Sequence, residues 1–325
     1  MIWVAWRQHR AQLIALAAVL VTGVIAVSAL HASMAGYIAE QGMRGCVAPA
    51  AERSAECLRF AMEFQPRWLD PLKAGQAGIL ALPVLLGVFS AAPLFAREIE
   101  NGTHVLVFTQ SVSRVRWMAA KVAMVLVPAL ITVVVLQFAV QRWVSAAGEL
   151  GPLTSGPFTF LNLDTSGPLP VAHLLFSFGL GALLGTALKR PLPAMISTLG
   201  ALVVVRAVAT NVHPHLSPVR REVSGPSAST PDTGDSLVDS GYLDAAGNPL
   251  PDAQVRLNAC GTRGSATEAY QDPDACLREQ GIAGRFHDVI PAEHAPVLQW
   301  AEFALFGAAG VLLLVATAWL LRKQH

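Results

Sequence analysis

The sequence predicts an all-α polytopic membrane protein with six transmembrane helices. An N-terminal interfacial helix, a short helix on the cytoplasmic side and a large extracellular loop complete the fold class. Three observations predict it. Six apolar stretches lie at residues 12–34, 77–96, 122–140, 169–188, 193–212 and 296–321. Each is about 19 residues or longer, enough to cross a hydrocarbon layer about 30 Å thick at about 1.5 Å per residue. Hydrophobic residues make up 53% of the chain and charged residues 14%, where a soluble domain carries about 25% charged; the mean hydropathy is +0.48. The third observation is that the basic residues alternate between connecting segments. Net charge is +1, so no field points to nucleic acid.

The first segment, residues 1–11, reads MIWVAWRQHRA. Trp3 and Trp6 lie three apart, as do Arg7 and Arg10, which sets an aromatic stripe beside a basic stripe on a helix in the headgroup region. The span after it resembles a signal peptide in having a basic start and small residues near Ala29–Ser33. Its apolar run is about twice the usual length of that element, which predicts a retained signal-anchor helix.

Residues 12–212 hold spans one to five and residues 296–325 hold span six and a tail. Arg7 and Arg10, then Arg97, Arg114, Arg116 and Lys121, then Lys189 and Arg190, and finally Arg322 and Lys323 occupy alternate segments. Of the 22 acidic residues, Glu98 and Glu100 share those segments, Glu302 lies in a span, and the rest lie in the other loops. The positive-inside rule places both termini in the cytoplasm, and an even number of spans is consistent with termini on one side.

The loops on the other side are expected at residues 40–75, 142–168 and 213–295. The run GPFTFLNLDTSGPLP in the second reads as a re-entrant segment or a surface hairpin. The third starts polar and rich in Pro and Ser, the composition of a segment without a core. It continues through Tyr242, Phe286 and Ile290, enough for a small subdomain but not a large core. All four cysteines fall in these loops: Cys46, Cys57, Cys260 and Cys276. Two close pairs on the oxidising side read as two local disulfides, Cys46–Cys57 and Cys260–Cys276; bridges across the loops or free thiols are the alternatives. The spacing lacks the CxxC or HxxxH partner of a zinc site.

Catalytic signatures are missing. No G-x-x-x-x-G-K-[ST], H-E-x-x-H or G-x-S-x-G occurs. His213 and His215 flank Pro214, and His287, Glu293 and His294 lie close in sequence, without ligand spacing. Gly181 and Gly185 in span four stand at i, i+4, which lets helices approach closely. Arg206 near the end of span five and Glu302 near the start of span six reach the same depth, about 9 Å below the outer surface. A lone charge there is costly, so an Arg206–Glu302 ion pair is expected.

One inside segment stands out. Residues 97–122 read REIENGTHVLVFTQSVSRVRWMAAKV. Glu98 and Glu100 are acids on the basic side, Asn101-Gly102 is a turn signal, and Thr103 can cap a short helix. Val105, Leu106 and Phe108 give that helix an apolar face, and Gln110 to Ser113 form a second turn before Arg114, Arg116 and Trp117 anchor span three. The result is a short amphipathic helix whose apolar face needs a partner groove.

On this segment the sequence resembles the membrane subunits of ABC-2 type transporters, especially the actinobacterial permease group. The resemblance rests on Glu98, Glu100, Gly102, Thr103, Gln110, Ser111, Ser113, Arg114 and Lys121. Trp6 to Arg10 resemble the family's interfacial elbow, and residues 181–207 its fourth and fifth spans. It implies that segment 97–121 is a coupling element, with Glu98, Glu100, Gly102, Thr103, Val105, Leu106, Phe108, Gln110, Ser113 and Arg114 meeting a separate ATP-binding subunit. It further implies a bacterial plasma-membrane permease, an exporter, that works as a homodimer or with a paralogous permease in the lipid bilayer. ATP and Mg would be bound by the partner, with no cofactor, metal or catalytic residue in this chain. The rival readings are a membrane scaffold or sensor that binds through loop 213–295, and a membrane-embedded enzyme using Glu302, Arg206 or His173.

Overall fold

The computed structural model describes residues 2–47, 54–101, 114–216, 218–226, 235–251 and 273–323. Among them are six helices long and apolar enough to cross a membrane: Arg10–Glu40, Ala55–Glu100, Arg116–Leu150, Leu169–Leu188, Pro191–Asn211 and Ala292–Lys323. The chain divides into two compact units. One holds residues 1–155, 159–211 and 296–325, the other residues 156–158 and 212–295.

In the first unit, α1 runs from Ile2 to Glu40 without interruption. The interfacial segment is therefore not a separate elbow but the first part of the helix that continues as span one. Nothing between Ile2 and Glu40 stops a helix, because the segment has no proline and its glycines are isolated. A 3-10 turn at Met43–Val47 follows. Helix α2 (Ala55–Leu86) then starts far earlier than the apolar stretch at 77, so most of the loop expected at 40–75 is helix. Ser54 caps it, its hydroxyl accepting from the Cys57 amide at 3.2 Å. Phe60, Phe64, Trp68 and Leu72 recur every four residues and are buried, giving the early half a core-facing stripe despite its charges.

Helix α2 passes through a π segment, Gly87–Ala91, into α3 (Ala92–Glu100). Helix α4 (Arg114–Ala147) returns, and short 3-10 turns at Gly148–Leu150 and Pro152–Ser155 lead to α5 (Phe160–Thr165). The run left between re-entrant segment and hairpin is this short helix. Helices α6 (Leu169–Leu188) and α7 (Pro191–Leu216) follow, with the left-handed Lys189 (φ 58°) ending α6.

Helix α6 packs at backbone distance. A Cβ at Gly181 would meet Ala92 N at 3.0 Å and Ala91 Cβ at 3.1 Å, and one at Gly185 would overlap the Ala92 carbonyl. The expected small-residue face of span four thus lies against the π segment and α3. On its other side α6 meets α9 (Ala295–Lys323), where a Cβ at Gly310 would lie 2.6 Å from Leu175. The core around this contact includes Phe95, Trp117, Val125, Phe178 and Ala182; a second core gathers Met34, Phe64, Trp68, Trp143 and Val144. The disulfide Cys46–Cys57 ties the α1–α2 connection, one of the two expected local bridges. Outward faces carry Ile14, Ile25, Phe138 and Leu312, apolar groups that lipid solvates.

The second unit holds the only β-structure among the described residues. Strands β1 (Arg220–Ser224), β2 (Ser236–Leu243) and β3 (Gly284–Ile290) form an antiparallel sheet in the order β1–β3–β2, with a register shift between Leu237 and Asp239. Helix α8 (Pro273–Glu279) precedes β3. Its Cys276 is disulfide-bonded; Cys260 lies outside the described residues. The small subdomain expected from the later part of this loop supplies β2 and β3, whereas β1 comes from the polar first part, which was expected to lack a core and instead pairs with β3.

Candidate functional site

Two places concentrate polar side chains in the helical unit. The first is the base from which segment 97–121 springs. Gly102, Thr103, Val105, Leu106, Phe108, Gln110, Ser111 and Ser113 lie outside the described residues, as does the side chain of Arg114, whose backbone begins α4. The two flanks are described. Helix α3 ends with Arg97 and Glu100 exposed, Ile99 packed on the core and Glu98 turned inward. Glu98 forms an ion pair with Lys121 of α4, whose side chain is 5% exposed. The Lys121 ammonium also lies 4.6 Å from the Trp117 ring centre, and Trp117 meets Phe95 at 5.7 Å. Charge, cation–π contact and ring packing bolt α3 to α4 directly beneath the segment.

The two glutamates are therefore not equivalent. Glu100 points outward and is free to meet another surface, whereas Glu98 is spent on an internal brace. In the sequence they look alike, since both are acids in one turn. The signal that separates them is helical phase: Glu98 shares a face with Phe95, Glu100 does not.

The second place is at the opposite end of α4. Helix α5 is held there by amides from three long helices. Gln76 of α2 donates to Asn162 Oδ1 at 2.9 Å, and Asn162 donates to the Pro152 carbonyl at 2.9 Å. Gln141 of α4 donates to the Thr165 carbonyl at 3.0 Å, and Gln137 to that of Gly167 at 2.6 Å. Gln299 of α9 donates to Ser166 Oγ at 2.6 Å. These bonds fix Asp164, 1% exposed, among the helices.

Arg206 of α7 forms its salt bridge with Asp164. Glu302, the partner expected from depth, is buried in the same cluster, and Asp164 is a further carboxylate at the guanidinium. Matching depth found the right level of the bundle and missed Asp164, because no local residue pattern marks its loop as folding inward. Arg206 Nη1 also lies 3.4 Å from His173 Nε2, and its guanidinium 4.9 Å from the Phe160 ring centre. One donor atom each from Asp164, His173 and Glu302 fall within 4.8 Å of one another, the residue types that bind a metal ion. Arg206 supplies the positive charge there.

A cavity of about 550 Å³ opens beside the cluster, walled by apolar side chains of α2, α6, α7 and α9, with His173 and Arg206 at its polar end. The arrangement offers no nucleophile paired with a base among the described residues. It offers a shaped void and, far along the bundle, a rigid base for an inter-helix segment.

The sequence matches the ABC-2 membrane transporter related family over residues 13–213. The chain belongs to that family. In this ABC-2 family member the match takes in α2, α3 and α4 with the segment between them, together with Asp164, His173 and Arg206. Glu302 and the sheet lie beyond it. Membership makes the chain a membrane permease component of a transporter. Comparison with curated proteins and with solved structures finds no significant match.

Proposed function

We propose that this chain is the membrane-spanning permease subunit of an ABC-2 type exporter driven by a separate ATP-binding subunit. The observation that carries the reading is the family match over 13–213, which spans the bolted base of segment 97–121. ATP-driven closure of the partner would push on this segment, and the α3–α4 brace would pass the push to α6 through Gly181 and Gly185. Coupling requires the partner to bind the two resulting states differently. Two copies, or this chain with a paralogue, would enclose the pathway, with ATP and Mg held by the partner.

Both termini would lie in the cytoplasm of a bacterial cell. The basic residues Arg7, Arg10, Arg322 and Lys323 support this. So does the disulfide at the α1–α2 connection, which belongs on the oxidising side.

The test is to purify the tagged chain in mild detergent from its native host, beside Glu100→Ala. An ATP-binding subunit with a phosphate-binding loop is expected with wild type and depleted in the variant. A folded chain that brings no such subunit would sink the reading in favour of a membrane scaffold or sensor.

A further inference from the structure

A second hollow lies on the helical unit where α5 meets α2 and α4. It encloses about 510 Å³ between these helices and the turn at Pro152–Ser155. Its lining is polar, unlike that of the cavity beside Arg206. Gln76, Asn162 and Thr165 form its floor and are 3%, 4% and 3% exposed.

Two amide oxygens of this lining lack a donor. Gln76 donates through Nε2 to Asn162, while its Oε1 is buried with no hydrogen-bond partner among the described residues. Gln141 donates through Nε2 to the Thr165 carbonyl, and its Oε1 accepts from no described residue. At the rim stands Arg142, exposed and paired with no carboxylate among the described residues. No Asp or Glu lines the hollow. The lining is thus complementary to a ligand that donates hydrogen bonds and carries negative charge.

The position decides what kind of molecule brings both. Arg142 is the first charged residue of α4 after Lys121, so it marks the end of an apolar stretch. Phe138, one turn before it, is 70% exposed. Val127, Ile131 and Val134 are exposed on the same face of α4, at spacings of three and four residues. From Val127 to Phe138 this face runs about 16 Å at about 1.5 Å per residue, one leaflet of a hydrocarbon layer about 30 Å thick. An acyl chain fits along it while the headgroup of the same lipid reaches the hollow. Guanidinium groups hold phosphate by paired hydrogen bonds. Headgroup hydroxyls supply the donors that the two glutamines lack. An ammonium headgroup would find no counter-charge there.

We propose that the hollow is a site for an anionic phospholipid whose headgroup bears hydroxyls, as phosphatidylglycerol does. Its phosphate lies on Arg142, its hydroxyls on the glutamine amides and one acyl chain along the exposed face of α4. The site stands apart from the permease reading, because nothing in it requires an ATP-binding subunit.

The probe is dioleoylphosphatidylglycerol, added to the purified, delipidated chain in detergent and read by native mass spectrometry. One lipid should bind saturably, at least about tenfold tighter than dioleoylphosphatidylethanolamine. Dioleoylphosphatidylmethanol keeps the charge without the hydroxyls and should bind weaker than phosphatidylglycerol by about threefold or more. Arg142→Gln removes a side chain that the fold does not use. It should erase the preference over phosphatidylethanolamine and leave the melting temperature unchanged. Arg190→Gln, at another exposed cation beyond the far end of α6, should keep the preference. Equal binding of phosphatidylglycerol and phosphatidylethanolamine, an unchanged preference in Arg142→Gln, or an equal loss in Arg190→Gln would each overturn the proposal. Phosphatidylmethanol binding as tightly as phosphatidylglycerol would overturn it too, since the amides would then read no hydroxyl. Displacement of the lipid by soluble glycerol phosphate at a matching concentration would overturn the lipid as occupant and give the hollow to a soluble phosphate.

Discussion

Lys121 shows how a single side chain acquires its role from its surroundings. A lysine at the start of a span would ordinarily extend to the headgroups. Here its ammonium lies over the Trp117 ring and meets Glu98, with 4% of the residue exposed. Two buried charges gain little over an apolar pair, but stranding one of them is severe. Lys121→Met or Glu98→Gln alone should therefore destabilise the folded chain by about 3–5 kcal/mol, and the double variant by clearly less than their sum. Thermal unfolding in detergent measures this, and strictly additive losses would mean that the pair is not coupled. Glu100→Ala on the exposed side should leave the melting temperature within the scatter of wild type. A variant that loses the partner without losing stability would separate docking from the brace.

At the scale of elements, the contact of α6 with the α2–α3 bend decides how the bundle closes. The π segment Gly87–Ala91 widens the helix by one residue, and Gly181 and Gly185 let α6 sit on it with backbone against backbone. Substituting a side chain there forces two backbones apart and leaves a gap along the whole interface. Gly185→Leu should lower stability by about 3 kcal/mol or more, in the upper range of single substitutions, and should also reduce ATP-dependent work if α6 relays motion from α3. Gly36→Ala is the matched control. A Cβ there meets nothing within 4 Å, and alanine in a helix interior is favoured over glycine by about 1 kcal/mol. Equal loss in both variants, read as melting temperature, would show that the close approach has no special weight.

For the molecule as a whole, the helical unit and the sheet respond to different conditions. The helical unit depends on lipid and on buried ion pairs, while the sheet carries its charges in water. Arg221 holds Asp288 by two hydrogen bonds of 2.7 Å, which keeps the Asp288 carboxyl below the usual carboxylate range. His287, opposite Glu222 in the register, is buried. Burial first, and the nearby Arg285 second, hold its imidazole below the ordinary value, with Glu222 opposing them. The unfolded chain therefore takes up the proton first, near pH 6.5. The stability that neutral His287 contributes is full above about pH 6.5 and is lost as pH falls toward the folded value. Proteolytic cleavage within residues 220–290 should accelerate as pH falls below about 6.5, and His287→Phe should flatten that response. An unchanged acid response in His287→Phe would assign it to other groups.

Much of this architecture was legible in the chain itself. Span number follows from apolar run length, because a bilayer has a fixed thickness and backbone groups inside it must be satisfied within a helix. The Cys46–Cys57 bridge followed from the closeness of the two cysteines in the chain. The close approach at Gly181 and Gly185 followed from their spacing, and the level of Arg206 and Glu302 from their depth. Helix ends were poorly legible. Hydropathy reports where lipid is, not where a helix stops, so α2 begins at Ala55 rather than 77 and α1 at Ile2 rather than 12. Only tertiary structure set Asp164 beside Arg206 and Lys121 beside Glu98, since those partners lie on different helices and no local pattern links them. The sequence by itself determined that this chain spans a membrane and belongs with transporters. Which charges meet, and where the bundle leaves a void, depended on how α5 folds inward and how closely α6 packs, and those are properties of packing between helices rather than of any one of them.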